Sequence, residues 1–248
     1  MLAFFRKIRQ KLFQQQPEGK AGNRVTRYLV YAIGEIILVV IGILIALQVN
    51  NWNESRKQKE ELKLFYKGLL ADLVKDTIEI NRSIENYKFL LDYNQNLENS
   101  LHNPLSNLDT FQSVATRFNP YIGNSFFSNQ TTLNSFESSG KLELIDDTIR
   151  YKLLEYKSLT EKIFNLDQTN SSIYLDRVAL YSQNYQFGEI KSPYLQKLNV
   201  IKDERQFVLL LTVLVEYKSI YLSISLNGLK FLKEQEDALL QLINQKNK

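Results

Sequence analysis

The chain of 248 residues contains no cysteine and a single histidine, His102. Without cysteine it cannot form a disulfide, a thiolate nucleophile or a zinc site with sulfur ligands. His102 lies two residues before Pro104, at the predicted end of a helix, so we interpret it as a solvated loop residue rather than a metal ligand or general base. No metal site and no cofactor are predicted.

Glycine and proline are also scarce, with nine and four residues. Many short strands joined by tight turns would need more of both, so the composition favours an all-α fold. The sequence has no glycine-rich phosphate loop, nucleophile elbow or dinucleotide fingerprint. The adjacent pairs Glu60-Glu61 and Asp146-Asp147 would point to different faces of a helix, which indicates solvated charges. We therefore predict that the chain has no catalytic residue and is not an enzyme.

Positive charge is concentrated near the N-terminus. The first 49 residues contain seven Lys or Arg and two Glu, whereas the whole chain has a net charge of +4, so the remainder is close to neutral. A basic arm directly before an apolar segment is typical of contact with anionic lipid head groups, which favours a membrane over nucleic acid as the partner. The predicted head-group contacts are Arg6, Lys7, Arg9 and Lys11.

The apolar segment covers residues 28–49 and contains Glu35 as its only formal charge. At about 1.5 Å per residue a helix of this length crosses a hydrocarbon core of about 30 Å. Ile36–Leu47 is apolar on every face, which disfavours the alternative of a buried core helix. The run is also longer than the apolar region of a cleavable signal peptide. We therefore predict an uncleaved signal-anchor transmembrane helix over residues 25–50.

The distribution of basic residues predicts an orientation. Seven Lys or Arg precede the span and five follow it closely, so the bias mildly favours a cytoplasmic N-terminus. Residues 1–24 would form a cytoplasmic arm, amphipathic at first and hinge-like over Gln14–Asn23. In a Gram-negative cell, residues 51–248 would then form a periplasmic helical domain.

One face of the predicted span combines small residues with an acid. Its members recur at spacings of three and four residues and are Ala32, Glu35, Val39, Gly42 and Ala46. Such a face permits close approach of a second helix, so we predict contact with another copy or a partner's span, with the Glu35 carboxyl hydrogen-bonded across it. Two alternatives remain open: Glu35 extends to the cytoplasmic interface, or it handles protons as in single-span stator proteins of ion-driven motors.

The N-terminal segment also resembles a known family. The strings FFRKIRQKL and YAIGEIILVVIGILIALQVNNWNE, within about residues 3–54, closely resemble the opening of a Bacteroidota membrane-protein family catalogued as a domain of unknown function. The segment Leu133–Leu159 is similar to a looser internal pattern of that family. The resemblance implies a single-span inner-membrane protein with a helical domain beyond the span, and it supplies no activity.

The pattern after the span predicts further helices. Residues 51–101 keep an apolar spacing of about 3.5 residues, interrupted by Asp76 and Asn94, so we expect the span helix to continue as a stalk that joins an antiparallel bundle. Pairing of this seam with a second copy is the alternative. Asp203 and Gln206 resemble a capping box. The later helices are predicted at about residues 107–118, 129–138, 145–185 and 203–244, with loops at 119–124 and around Gly188 and Pro193.

The aromatic residues, 14 Tyr and 14 Phe, are interpreted mainly as bundle core. A subset near residues 119–124 is predicted to mark a partner-binding edge: Phe118, Tyr121, Phe126 and Phe127. The predicted function is a non-catalytic, membrane-anchored scaffold or adaptor that acts through protein–protein contacts. The alternatives are a membrane sensor or regulator that binds a ligand in the helical domain, and a proton-coupled accessory subunit that uses Glu35.

Overall fold

The computed structural model describes residues 24–123, 126–197 and 201–246. These residues form six α-helices and one short 3-10 helix, Leu142–Leu144, and include no strand, so the predicted all-α fold is confirmed. The predicted head-group contacts Arg6, Lys7, Arg9 and Lys11 and the predicted hinge lie outside the described residues. The helices are α1, Arg24–Leu101; α2, Leu108–Arg117; α3, Thr131–Ser138; α4, Asp147–Asn184; α5, Pro193–Gln196; and α6, Glu204–Lys246.

The helix ends follow local capping chemistry. The side chain of Asn107 accepts a hydrogen bond from the Thr110 N–H at 3.0 Å and caps α2. Asp146 caps α4 by accepting from the N–H groups of Thr148 and Ile149 at 2.9 and 3.3 Å. Each cap satisfies N–H groups that have no partner within the first helical turn. These starts agree with the predicted ones to within two residues.

Two local predictions need correction between α4 and α6. The stretch around Pro193 was expected to be a loop, but it contains α5, where Pro193 occupies a first-turn position that needs no N–H donor. Of the two reciprocal hydrogen bonds of the predicted capping box, only one forms. The Gln206 N–H donates to Asp203 Oδ1 at 3.0 Å, whereas Gln206 Oε1 accepts from the Tyr185 hydroxyl at 3.3 Å and is thereby drawn toward the end of α4.

The chain divides into two units, Met1–Lys59 and Glu60–Lys248, and the division falls inside α1. In the first unit every described side chain from Tyr31 to Trp52 is exposed. This unit therefore contributes no buried core within the described residues.

The second unit is a helical bundle. Residues 60–101 of α1 run antiparallel to α6, as shown by the Tyr87–Tyr221 hydroxyl contact at 3.2 Å and the bond from Asn94 Nδ2 to the Val215 carbonyl at 2.8 Å. Helix α4 runs antiparallel to α6 on another side. Two apolar clusters fill the bundle, one around Leu222 and Leu232 and the other around Leu211 and Leu214. One face of the apolar segment 207–215 lies in the bundle core, with Phe207, Leu211, Leu214 and Val215 buried, whereas Leu209 is 60% exposed.

Candidate functional site: an apolar helix and a polar bundle interior

The first candidate site is the exposed apolar part of α1. From Tyr31 onward this helix contains an 18-residue window with a mean hydropathy of 2.6, none of which is buried. Helix α6 is also long and apolar enough to cross a membrane, with a mean hydropathy of 1.7, but 39% of its window is buried in the bundle. The described residues therefore leave the apolar window of α1 uncovered, whereas they bury 39% of the window of α6.

The predicted contact face lies on this exposed segment. Its five members, Ala32, Glu35, Val39, Gly42 and Ala46, are all exposed. A Cβ built on Gly42 meets no atom within 4 Å, so this glycine is not required by packing within the described residues. None of these five side chains is buried by the part of the chain that the structure describes, and the role of the face in contact with another helix stays a prediction.

The predicted aromatic edge does not assemble as one surface. Phe118 and Phe126 retain only 3% and 9% of their exposure and belong to the two different apolar clusters. Tyr121 and Phe127 are exposed, and the Phe127 ring lies 5.1 Å from that of Phe164. Assigning Phe118 and Phe126 to a binding edge was therefore wrong, because both rings are used to close the core.

A buried lysine explains the path of the chain at Phe118. Lys218 of α6 is 1% exposed, donates from Nζ to the Asn119 carbonyl and lies 5.1 Å from the centroid of the Phe118 ring. The Tyr174 hydroxyl donates to the carbonyl of Pro120 at 2.9 Å. Burial lowers the pKa of Lys218 to about 8. These bonds hold the segment against the bundle, which is why Phe118 turns inward.

Two acids of α1 hold the segment that leads into α3. Asp76 accepts hydrogen bonds from the Ser128 hydroxyl and, at 2.8 Å, from the Asn129 N–H. Asp72 accepts from Asn129 Nδ2 and from the Thr132 N–H, each at 3.0 Å. Burial is the main cause of a raised pKa at Asp76. Asp76, which interrupts the apolar pattern of α1 in the sequence, therefore helps to bind residues 128–132 to α1.

A third acid, Glu236 of α6, is fully buried near Asp76. Neither of its carboxylate oxygens has a hydrogen-bond partner among the described residues, and the hydroxyl of Tyr156 also lacks one. The neighbouring hydroxyl of Thr77 donates to the Leu73 carbonyl at 3.0 Å instead. Burial, with a smaller contribution from the charge of Asp76, raises the pKa of Glu236 to about 8. The side chain is thus mostly protonated at neutral pH.

A small cavity lies between α4 and α6. It has a volume of about 80 Å³ and apolar walls that include Phe126, Ile163 and Ile224. Its polar lining includes Asp167, whose Oδ1 accepts from the hydroxyls of Tyr221 at 3.0 Å and Ser225 at 2.7 Å. The cavity therefore combines an apolar interior with one oriented carboxylate.

Comparison with known proteins adds a family but no activity. The model of a family of unknown function, DUF6090, matches residues 35–219, which is more than half of the chain. The chain belongs to this family. No curated protein and no solved structure matches the chain significantly. The predicted resemblance to a family of unknown function is confirmed, and the DUF6090 match includes most of the apolar segment as well as α2 to α5.

Several of these interior residues could not be recognised as a site from the sequence. Asp72 and Glu236 have other charged residues close by in the sequence, so the local pattern does not distinguish them from surface residues. Lys218 is instead the only charged residue between Glu216 and Lys230, which is a signal that the sequence offers. His102, interpreted as a loop residue, follows α1 directly, and its Nε2 lies 3.1 Å from Glu216 Oε1. Among the described residues there is no group of three or more His, Asp or Glu arranged to hold a metal ion.

Proposed function

We propose that this member of DUF6090 is a non-catalytic, membrane-anchored helical adaptor of the bacterial cell envelope. The observation that supports an anchor is the apolar window of α1, which has a mean hydropathy of 2.6 and no burial. Apolar surface in water costs about 25 cal/mol per Å², so a fully exposed apolar helix of this length is stable only when lipid or another protein covers it. A length that matches a bilayer favours lipid.

The proposed topology places the N-terminus in the cytoplasm, the span in the inner membrane and the bundle in the periplasm. The excess of Lys and Arg before the span supports this orientation. Because the chain has no cysteine, Leu105→Cys introduces a unique thiol on a loop residue that is 88% exposed. A membrane-impermeant maleimide should label this thiol in intact spheroplasts. Labelling only after lysis would reverse the topology.

The adaptor role is supported by how the bundle uses its polar groups. Asp72, Asp76 and Lys218 form hydrogen bonds with backbone groups of the same chain. These side chains therefore stabilise the bundle rather than face a substrate. Exposed apolar side chains remain on the outer faces of the long helices. A tagged full-length copy, purified in mild detergent, should recover a stoichiometric amount of an untagged copy or of another protein. A pure single copy with no companion at any detergent concentration would contradict the adaptor role.

The cavity beside Asp167 favours a second candidate function, a sensor that binds a small ligand. An apolar wall with one carboxylate suits a short alkylammonium ion, because the ammonium group is attracted to the carboxylate and the alkyl chain can contact the apolar wall. Isobutylammonium should then raise the melting temperature of the wild-type chain. It should have no effect on Gly228→Leu, which places a side chain at the cavity wall. Equal effects on both chains would exclude this role.

A further inference from the structure

Helices α4 and α6 each carry a second apolar stripe that the bundle core does not use. On α4 its exposed members Leu166, Ile173 and Leu180 are seven residues apart. On α6 the members are Ile220, Ile224, Asn227 and Phe231, at spacings of four, three and four, and all four are exposed. We call these seven residues the α4/α6 face. Heptad spacing of this kind is typical of helices that pack against further helices.

The two stripes lie side by side. Leu166 and Ile224 both line the cavity between the helices, and the guanidinium of Arg177 lies 5.2 Å from the centroid of the Tyr217 ring. Both contacts join α4 to α6 near exposed members of the stripes. The two stripes therefore adjoin between these two contacts, and the cavity lies between Leu166 and Ile224.

Charge distinguishes the α4/α6 face from the outer face of α1. The α6 stripe, residues 220–231, contains one charged residue, Lys230, and the α4 stripe, residues 166–180, contains Asp167, Asp176 and Arg177, so the formal charges sum to zero. The apolar residues exposed on α1, such as Phe89, are instead surrounded by exposed charges. These are Lys75, Glu79, Arg82, Glu85, Lys88 and Asp92. The α4/α6 face therefore carries few charges, whereas the α1 face is densely charged.

We propose that the α4/α6 face binds a second copy of this chain. A two-fold symmetric interface places a surface against itself. The six exposed charges of α1 sum to zero, but each would have to lose water on both copies, whereas the α4/α6 face buries few charges. Because α4 and α6 are antiparallel, a two-fold axis along the bundle sets α6 of the second copy beside α4. The four helices then alternate in direction, as in an antiparallel four-helix bundle.

Details within the face fit this occupant. Asn227 lies within the α6 stripe, and Asn170 falls at the matching heptad position of α4, between Leu166 and Ile173. A polar Asn in an apolar helical seam fixes register and the number of helices at some cost in stability. The cavity between Leu166 and Ile224 offers a hole for an apolar side chain of the second copy. The inference rests in part on the proposed function, since anchored copies share a plane and meet at a raised effective concentration.

The test uses the absence of cysteine in the natural chain. Ile220→Cys and Phe89→Cys each give the full-length chain one exposed thiol, the first on the α4/α6 face and the second on the charged face of α1. Membranes containing either variant are treated with a short bismaleimide cross-linker. A dimer should form with Ile220→Cys and at least about tenfold less with Phe89→Cys. Equal yields, or none with Ile220→Cys, would overturn the proposal.

A second variant tests the apolar nature of the contact. Adding Ile224→Lys to the Ile220→Cys chain places a charge in the α4/α6 face, and cross-linking should fall at least about tenfold, which corresponds to about 1.4 kcal/mol of association free energy. Ile224 is exposed, so the thermal unfolding of the chain should change little. An unchanged cross-linking yield would contradict the assignment of this face.

Experiments on the same membranes distinguish an error in the proposed dimer contact from an error in the proposed membrane anchor. If the chain sediments with membranes and resists alkaline extraction but does not cross-link through Ile220→Cys, the α4/α6 contact is wrong and the anchor stands. If the chain cross-links but is released by alkali, the anchor is wrong and the contact stands.

Discussion

Gly68 and Thr132 approach so closely that a Cβ on Gly68 would lie 3.0 Å from both Cγ2 and Oγ1 of Thr132. Thr132 cannot move away easily, because its N–H is bound to Asp72 Oδ2 at 3.0 Å. This glycine lies in the interior of α1, where the sequence suggests only that it is tolerated. Because Gly68 has no side chain, the start of α3 can pack closely against α1.

Gly68→Ala should therefore destabilise the bundle although alanine is the better helix former. Overpacking of this kind costs about 1–3 kcal/mol, which exceeds the gain of up to about 1 kcal/mol from helix propensity. The matched control is Gly228→Ala in α6, whose added Cβ would lie 3.5 Å from Ile163 Cγ2, an ordinary contact. Thermal unfolding in detergent should show a lower midpoint for the first variant and an equal or higher one for the second.

Asp72→Ala should release the segment that leads into α3. The substitution leaves Asn129 Nδ2 and the Thr132 N–H without their acceptor. Loss of a partner at buried or partly buried donors costs about 1–3 kcal/mol. Hydrogen exchange should speed up at residues 129–132, whereas Asp92→Ala, at an exposed position of the same helix, should leave it unchanged. Identical exchange in the two variants would show that Asp72 does not hold this segment.

Glu236 should make the bundle less stable as the pH rises. Its pKa is about 8 in the folded chain against an ordinary value of 4.5, so the folded state retains a proton that the unfolded state has lost. Stability is fully present below about 4.5 and declines up to about 8. Glu236→Gln should flatten this decline in a plot of melting temperature against pH. Glu234→Gln, exposed on the same helix, should keep the wild-type slope.

Lys218 acts in a different pH interval and with the opposite sign. Its folded pKa of about 8 lies below the ordinary 10.5, so the folded state binds fewer protons there and the stability of the chain rises with pH from about 8 to about 10.5. Lys218→Met should remove this rise while keeping the apolar part of the side chain. It should also lower stability overall, because the Asn119 carbonyl loses its donor. An unchanged slope above pH 8 would show that this amine is not buried in the folded chain.

Periodicity and capping residues were sufficient to predict most of the helices. The continuation of α1 to Leu101, the start of α4 to within two residues and the burial of one face of residues 207–215 all follow from local patterns. Partners distant in sequence are not visible in such patterns. Asp76 binds Ser128, 52 positions away, and Lys218 binds Asn119, 99 positions away, so their burial depends on tertiary packing. The inward turn of Phe118 depends on the same contact.

The apolar part of α1 is predicted to lie within the lipid bilayer. Membranes from cells that express the full-length chain are washed with alkaline carbonate, sedimented and then extracted with a mild detergent. The chain should remain in the pellet after the wash and enter solution only with detergent, because its exposed apolar helix is covered by lipid. Replacing Ile37, Val40 and Leu44 together with Lys should move it to the supernatant. Release of the unaltered chain by carbonate alone would contradict a transmembrane anchor.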